Sequence, residues 1–329
     1  MRLVVTGRDG QVATSLLEAG QGRDDVEVVA VGRPTLDLTQ PDTVFDALAA
    51  VRPDIVVSAA AYTAVDQAED EPDLAFTVNA VGAGKVAEAA AKLGVPVIHL
   101  STDYVFDGSK DGAYVETDAT APLGVYGASK LAGELAVAAA NPRHLILRTA
   151  WVYSPFGKNF VKTMLRLAGD RDEISVVADQ WGSPTSALDI ADAILHAAEV
   201  LHGDPSFASF GVYHLAGTGE TNWSGIARHI LDTSQALGGP YAQVRDIVTQ
   251  EYPTKARRPH NSRLSSAKFA TVLGWDMPDW RKSTSAVVAR FTGGRSEPEL
   301  MEEKSSRQEG SQRTGCSCRL EDLADKGTR

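Results

Sequence analysis

Short apolar runs alternate with helical patterns along the first half of the chain. Strands are predicted at residues 2–6, 26–31, 54–58, 95–102 and 144–149. The apolar residues from Leu74 to Leu93 have helical spacing, and Gly94 is the expected left-handed terminator. A second helix is predicted at 123–140. This alternation predicts an α/β fold with a Rossmann-like, doubly wound parallel sheet.

Beyond Trp151 the pattern loosens. Helices are predicted at 159–168, 188–201, 223–237 and 265–273, and short strands at 174–177 and 213–215. We therefore expect a dinucleotide-binding domain at 1–150 that carries the catalytic residues, followed by a smaller lobe at 151–292 that mainly binds substrate. Residues 293–329 are polar and charged without apolar periodicity, which predicts a disordered tail.

Composition excludes several classes of protein. The 329 residues carry a net charge of −11 and 43% hydrophobic residues, so we expect a globular protein without a nucleic-acid partner, because such a partner normally requires a basic face. No apolar run approaches the ~20 residues that span a bilayer, and the chain opens on a predicted strand rather than a cleavable leader. We expect a cytoplasmic protein. Cys316 and Cys318 lie in the polar tail, where they predict neither disulfides nor metal ligands.

A glycine turn follows the first predicted strand. Gly7 permits a tight turn and Gly10 lets the backbone approach a diphosphate. Gln11 and Val12 begin the next helix, whose N-terminus offers N–H donors and a positive dipole end to the same group. This position favours a dinucleotide site over a purely structural turn, which stays the alternative.

The next two strands end in residues that suit a cofactor. Arg33 stands where an NAD-specific site often has an acid, so it is a candidate partner for the 2′-phosphate of NADP, although an ordinary surface arginine is the alternative. Asp37 and Leu38 follow in a loop and are further candidates. Ala59, Ala60 and Ala61 follow the third strand, and their small side chains admit a cofactor. We predict that NADPH is used, with NADH possible.

A reaction centre is predicted where the fourth strand and the following helix meet. Tyr126 and Lys130 are four residues apart and so face the same side of a helix. A nearby ammonium favours the phenolate and lowers a tyrosine pKa, which makes Tyr126 a candidate proton donor. Ser101 and Thr102 end the fourth strand, where chemistry collects in open α/β sheets. We predict Thr102, Tyr126 and Lys130 as the catalytic residues.

With these residues assigned, the chain resembles the extended short-chain dehydrogenase/reductase superfamily. Within it, the chain is most similar to the reductases that convert dTDP-4-dehydro-β-L-rhamnose to dTDP-β-L-rhamnose. The resemblance extends from Met1 to about Phe291. The segments that carry it are TGRDGQVA, AAAYTAVDQAE, STDYVFDG, APLGVYGASKLAGE, RTAWVY, NFVKTMLRLA, DQWGSPTS and YPTKARRPHNSRL.

The resemblance implies reduction of a C4 ketone, the last step of dTDP-L-rhamnose synthesis. It implies that Tyr126 protonates the developing alkoxide, that Thr102 hydrogen-bonds the same oxygen, and that Lys130 holds the nicotinamide ribose and lowers the tyrosine pKa. By the same resemblance Asp103 contacts sugar hydroxyls and Trp151 lines the sugar site. Core packing is the alternative role for Trp151.

Two other functions stay open at this point. Related sugar-nucleotide dehydratases and epimerases resemble the chain, but in the dehydratases the threonine is followed by an Asp-Glu pair. Here Thr102 is followed by Asp103 and Tyr104, which disfavours dehydration. The regulatory subunit of methionine adenosyltransferase also resembles this family and is a non-catalytic binding protein, whereas the intact Thr102, Tyr126 and Lys130 favour an enzyme.

Metal binding and assembly are expected to differ from some members that the chain resembles. Those members are magnesium-bridged dimers with glutamate ligands, whereas here Ser15 and Leu188 occupy two of the corresponding positions. We predict no metal site, and a monomer or a weak homodimer. The densest basic stretch, 255–262, suits a nucleotide diphosphate, and a solvated loop is the alternative.

Overall fold

A computed structural model describes residues 1–292, so the predicted disordered tail lies outside the described residues. Strands are numbered in chain order: β1 Arg2–Thr6, β2 Glu27–Val31, β3 Ile55–Ser58, β4 Val97–Thr102, β5 His144–Thr149, β6 Val152–Tyr153, β7 Glu173–Val177, β8 Trp181–Gly182, β9 Thr185–Ser186, β10 Gly211–His214, β11 Thr221–Asn222, β12 Gln243–Ile247 and β13 Asn261–Ser262.

The α-helices are numbered in the same way: α1 Gln11–Ala19, α2 Thr43–Val51, α3 Val65–Ala68, α4 Pro72–Phe76, α5 Ala83–Lys92, α6 Val125–Ala140, α7 Phe160–Asp170, α8 Ala187–Gly203, α9 Trp223–Ala236, α10 Ala267–Leu273 and α11 Trp280–Thr292. A π-helical segment, Thr77–Gly82, joins α4 to α5, and 3₁₀ turns occupy Asp103–Val105 and Thr249–Glu251.

A parallel sheet of six strands forms the centre of the molecule, in the order β10-β5-β4-β3-β1-β2. Helices cover both faces. On one face Leu16 of α1 and Ile194 of α8 pack with Val5 of β1. On the other face the apolar sides of α2, α5 and α6 cover the sheet. The predicted doubly wound α/β fold is confirmed.

The sixth strand comes from a part of the chain that the sequence analysis assigns to the substrate lobe. Strand β10 pairs in parallel with β5, from Gly211 beside Leu145 to His214 beside Arg148. Helix α8 likewise packs against α1 on the sheet. The strand prediction at 213–215 was nearly right in position, but the sheet does not end at residue 150. The remaining lobe centres on a separate apolar cluster formed by α7, α9 and α11 with the paired strands β7 and β12.

Local backbone geometry explains where element boundaries differ from the predictions. The single helix predicted over 74–93 is divided into α4, the π-helical segment and α5, and Gly94 ends it with a φ of +73°, as predicted. Strand β4 begins at Val97 rather than Val95, because the Val95 N–H donates to Ala90 at the end of α5. Helix α6 begins at Val125 rather than 123, because Gly124 has an extended backbone.

Candidate active site

The loops after β1 and β3 meet at the point where the strand order reverses. Gly7 has a φ of +94°, which confirms its predicted turn conformation, and a Cβ atom on it would lie 3.5 Å from the Cβ of Ala60. The N–H groups of Ala59 and Ala60 both donate to the Thr6 hydroxyl at 3.1 Å. Open α/β sheets bind ligands at such a point, and Ala61 continues this loop.

The start of α1 leaves room for an anionic group. Gly10 has no protein atom within 4 Å of the position that a Cβ would take, and no side chain caps the helix. Val12 is buried in the core. The Gln11 side chain accepts hydrogen bonds from Ser154 at 2.8 Å and from Asn159 at 3.1 Å. The Gln11 side chain thus joins α1 to the segment after β6. Contact of Gln11 with a cofactor stays a prediction, and only its main chain is available for it.

The three cofactor candidates after β2 have different surroundings. Arg33 is exposed and forms no ion pair within residues 1–292. Asp37 accepts hydrogen bonds from the N–H and hydroxyl of Thr39, which lower the pKa of its carboxyl. Leu38 is buried against Gly82. Of the three, Arg33 alone presents an uncommitted charged side chain, and its contact with a 2′-phosphate stays a prediction.

The end of β4 carries the predicted threonine and aspartate. Thr102 donates to the Asp103 carboxylate at 2.9 Å and accepts a hydrogen bond from the Tyr104 N–H at 3.2 Å. Thr102 and Asp103 are both buried, and burial raises the pKa of Asp103 to about 6. The second oxygen of the Asp103 carboxylate has no hydrogen-bond partner within the described part of the chain. Contact of Asp103 with a sugar hydroxyl stays a prediction.

Helix α6 presents Tyr126 and Lys130 beside this strand end. The Lys130 ammonium donates to the Leu100 carbonyl at 2.6 Å, and burial lowers its pKa to about 8. Burial raises the pKa of Tyr126 above its ordinary value, while an interaction with the Thr102 side chain lowers it. The predicted net lowering of the Tyr126 pKa by Lys130 is therefore wrong for this structure, because desolvation of the phenolate dominates.

A buried ion pair that the sequence analysis missed lies one helical turn beyond Lys130. Glu134 accepts two hydrogen bonds from Arg148 of β5, at 2.9 and 2.7 Å, and a third from the Ser101 hydroxyl at 2.5 Å. The network joins α6 and β4, which carry the predicted catalytic residues, to β5. The spacing of four residues places Lys130 and Glu134 on one face of the predicted helix, but no local sequence signal indicates Arg148 as the partner of Glu134.

The π-helical segment supplies a second missed residue. Asn79 is buried, accepts a hydrogen bond from the Tyr62 N–H at 2.8 Å and donates to the Ser129 hydroxyl at 3.0 Å. It therefore connects the loop after β3 with α6 at Ser129, the residue that precedes Lys130. A π-helical turn often accompanies a functional site, because it redirects a side chain that a regular helix would place elsewhere.

Trp151 stands where the chain leaves the sheet for the lobe. Its φ is +50°, and its ring stacks on Trp223 with centroids 3.6 Å apart and planes within 10°. A Cβ on Gly182 would lie 2.4 Å from the same ring. Trp151 thus has a packing role, and a contact with sugar stays a prediction.

Known proteins resemble this chain over the same residues. The family model described as RmlD substrate binding domain matches residues 1–292. The dTDP-4-dehydrorhamnose reductase of Sinorhizobium fredii is 52% identical over 88% of this chain and 97% of its own length, and that of Escherichia coli K12 is 44% identical over the same shares. The chain belongs to the dTDP-4-dehydrorhamnose reductase family.

Solved structures of the dTDP-4-dehydrorhamnose reductase family agree with this fold. The enzyme from Clostridium acetobutylicum superposes with a TM-score of 0.81 at 35% identity, and covers 88% of this chain and 99% of its own. The enzyme from Bacillus anthracis, solved in complex with NADP, has a TM-score of 0.80, 35% identity and the same coverage.

Two positions, Ser15 and Leu188, bear on the prediction that this chain has no metal site. Ser15 is buried and donates to the Gln11 carbonyl at 2.8 Å, and Leu188 packs against the apolar cluster of the lobe. Neither offers a carboxylate. In residues 1–292 no group of three or more His, Cys, Asp or Glu side chains is arranged to hold a metal ion. The absence of a metal requirement stays a prediction.

The basic stretch 255–262 is largely committed to protein contacts. Lys255 contacts Asp70, and Arg258 pairs with Asp66 at 2.6 Å. Arg257 is exposed and forms no ion pair within the part of the chain described. The alternative of a merely solvated loop is therefore wrong for Arg258, whereas Lys255 is exposed and forms only a surface ion pair. As far as residue 292, no helix is both long enough and apolar enough to cross a membrane.

Proposed function

We propose that this member of the dTDP-4-dehydrorhamnose reductase family reduces the C4 ketone of dTDP-4-dehydro-β-L-rhamnose to dTDP-β-L-rhamnose, the last step of dTDP-L-rhamnose synthesis. The observation that carries the proposal is the meeting of Thr102, Tyr126 and Lys130 beside the carboxyl end of β4, in a chain that shares 52% identity with a reductase of that name. The substrate is a small nucleotide-sugar.

The cofactor is NADPH, with NADH as a possible second donor. The Bacillus anthracis relative is solved with NADP, and this chain has an exposed arginine after β2. When bound, NADPH supplies the hydride. The diphosphate would be held by the tight turn at Gly7 and Gly10 and by the N–H groups of Gln11 and Val12. These N–H groups lie at the start of α1, which no side chain caps. The further residues that would contact the cofactor are Ala59, Ala60, Ala61, Asp37 and Leu38.

Each of the three catalytic residues has a separate role in the reduction. Tyr126 donates its proton to the developing alkoxide, and the raised pKa keeps the phenol protonated at neutral pH until it is needed. Thr102 donates a hydrogen bond to the same oxygen, and this requires its hydroxyl to exchange the Asp103 carboxylate for the substrate. Lys130 places a positive charge near the nicotinamide ribose. Asp103 binds sugar hydroxyls and Trp151 lines the sugar site.

The proposal also covers where the protein acts, its assembly and its partners. The protein acts in the cytoplasm as a monomer or a weak homodimer and has no nucleic-acid partner. A net charge of −11 supports the last point, because a polyanion would be repelled. Dehydration is disfavoured because Tyr104 stands where the second carboxylate of a dehydratase would be. A purely regulatory role is disfavoured because the three catalytic residues are intact.

One assay tests the proposal. NADPH oxidation is followed with dTDP-4-dehydro-β-L-rhamnose as substrate, and the product is identified by mass spectrometry and NMR. We expect dTDP-β-L-rhamnose in a one-to-one ratio with the NADP⁺ formed. Elimination of water from dTDP-glucose would show a dehydratase, and binding of the nucleotide-sugar without turnover would indicate a binding protein. Either of these last results would overturn the proposal.

A further inference from the structure

Residues 256–258 join the later part of the chain to the catalytic region. The Ala256 N–H donates to the Asp66 carboxylate at 3.0 Å, and the Arg258 guanidinium donates to the other oxygen of the same carboxylate at 2.6 Å. Asp66 belongs to α3, which follows the proposed cofactor loop after β3. The Arg258 side chain is 18% exposed and that of Asp66 is 46% exposed, so water reaches this ion pair mainly from the aspartate side.

Arg258 also contacts Tyr104 in two ways. A second guanidinium nitrogen donates to the Tyr104 hydroxyl at 3.2 Å, and the guanidinium carbon lies 5.8 Å from the centre of the tyrosine ring. The planar guanidinium can make both contacts because its donors are held in a fixed fork, whereas an ammonium is a single point of charge. Arg258 therefore links the Tyr104 side chain to Asp66 of α3.

Tyr104 in turn touches each part of the reaction centre. Its ring meets the Tyr126 ring edge-on, with centroids 5.5 Å apart. Its N–H donates to the Thr102 hydroxyl at 3.2 Å. Its carbonyl oxygen presses on α6 at Gly127, where a Cβ would lie 2.2 Å away. A displacement of Tyr104 would consequently disturb the proton donor, the threonine and the start of the catalytic helix together.

We propose that Arg258 is a positioning residue for the reduction, which acts through Tyr104 to fix the relative placement of Thr102 and Tyr126. The proposal rests on the proposed function for its effect on turnover. Arg258 need not touch the substrate in this role. Proton transfer is sensitive to small displacements of the donor. Loss of the Arg258 side chain should therefore lower kcat and leave substrate binding unchanged.

Arg263 provides a matched control for a substitution at Arg258. It lies five residues further along the same segment, its side chain is also 18% exposed, and it pairs with Glu220 at 2.9 Å. It contacts neither Tyr104 nor Tyr126 among the hydrogen bonds and ring contacts described. Arg258→Met and Arg263→Met remove the same charge and a similar ion pair, but only the first removes the contact with Tyr104.

Steady-state kinetics are then compared for the wild type, Arg258→Met, Arg258→Lys and Arg263→Met. We expect Arg258→Met to lower kcat by about 10- to 100-fold with KM changed by less than about threefold. Arg258→Lys should restore only part of kcat, because an ammonium can keep the Asp66 pair and a charge near Tyr104 but lacks the fork that makes both contacts. Arg263→Met should retain wild-type kcat within about threefold. A rise in KM with kcat preserved in Arg258→Met would mean that Arg258 binds substrate directly, and would overturn the proposal.

Amide hydrogen exchange tests the same inference without turnover. Arg258→Met should accelerate exchange at residues 103–106 and 124–128, whereas Arg263→Met should leave those amides protected. Equal exchange there in the two variants would contradict a positioning role. If the wild type fails to reduce the ketosugar nucleotide, the proposed function falls, and the exchange pattern alone still decides whether Arg258 positions Tyr104.

Discussion

The ammonium of Lys130 donates a 2.6 Å hydrogen bond to the main-chain carbonyl of Leu100, on the strand that ends in Thr102. Two opposing effects set its charge. Burial lowers the pKa of Lys130 to about 8, while the carboxylate of Glu134, one turn along α6, raises it. The Lys130 ammonium that the reaction needs therefore loses its proton only slightly above neutral pH.

The pH dependence of kcat/KM should report this lysine. A lysine loses its charge as the pH rises through its pKa, so kcat/KM of the wild type should fall as the pH rises above about 8. Lys130→Met should lower kcat and weaken cofactor binding together, and should lose this alkaline limb. A wild-type profile that is flat well above pH 8, or an unchanged limb in Lys130→Met, would contradict the assignment.

Removal of the Tyr126 hydroxyl should separate chemistry from binding. Tyr126→Phe keeps the ring that packs against Tyr104, so the fold and cofactor affinity should survive. Turnover should fall by about 10²-fold or more, because no other side chain is proposed to donate the proton. Single-turnover kinetics and NADPH fluorescence titration measure the two effects. Near-wild-type turnover would show that Tyr126 is not the acid.

Cofactor preference should depend on Arg33. Its exposed guanidinium would be lost in Arg33→Ala, so kcat/KM with NADPH should fall by about tenfold while kcat/KM with NADH changes little. Arg245→Ala is the control, because Arg245 is also exposed but contacts Ser175 on the β7–β12 pair of the lobe. An unchanged NADPH preference in Arg33→Ala would mean that another group binds the 2′-phosphate.

Asp103 should reduce the stability of the free protein at neutral pH. Its folded pKa of about 6 lies above the ordinary value of 3.8, so its contribution to stability is present below about pH 4 and is lost as the pH rises through about 6. Between pH 4.5 and pH 7.5, the free energy of unfolding of Asp103→Asn should rise by about 2 kcal/mol relative to that of the wild type. Urea denaturation at both pH values measures this. An equal difference at the two pH values would show that Asp103 does not titrate in this range.

Catalysis and assembly should not depend on a divalent metal. Mg²⁺ is usually held through oxygen ligands, and the buried Ser15 and the apolar Leu188 cannot replace carboxylates. Activity and light-scattering mass should be the same before and after EDTA treatment. A dimer that dissociates in EDTA and re-forms with Mg²⁺ would show that other carboxylates provide the site.

Local signals predicted the fold and part of the site. The turn at Gly7, the helix end at Gly94 and the shared face of Tyr126 and Lys130 all depend on residues close in sequence, and backbone geometry confirms the two glycines. The structure also brings Thr102 to the same region as Tyr126 and Lys130. Their catalytic roles stay predictions.

Effects that depend on distant residues were not predictable. The Gln11 side chain is occupied by Ser154 and Asn159, more than 140 positions away, and Arg258 reaches Tyr104 across 154 positions. The Tyr126 pKa was wrongly predicted because a spacing of four residues indicates a nearby charge but not the extent of desolvation, which dominates here.

The late arrival of β10 has a consequence during synthesis on the ribosome. At roughly 5–20 residues per second, several seconds separate the emergence of β5 from that of Gly211–His214, which pairs with it. Throughout that interval the outer edge of β5 can pair with another nascent chain, and the face of α1 that α8 later covers is exposed to water. We therefore expect the half that carries the glycine turn and the reaction centre not to fold by itself, and a translation product released between residues 150 and 186 should be a substrate for chaperones and proteases.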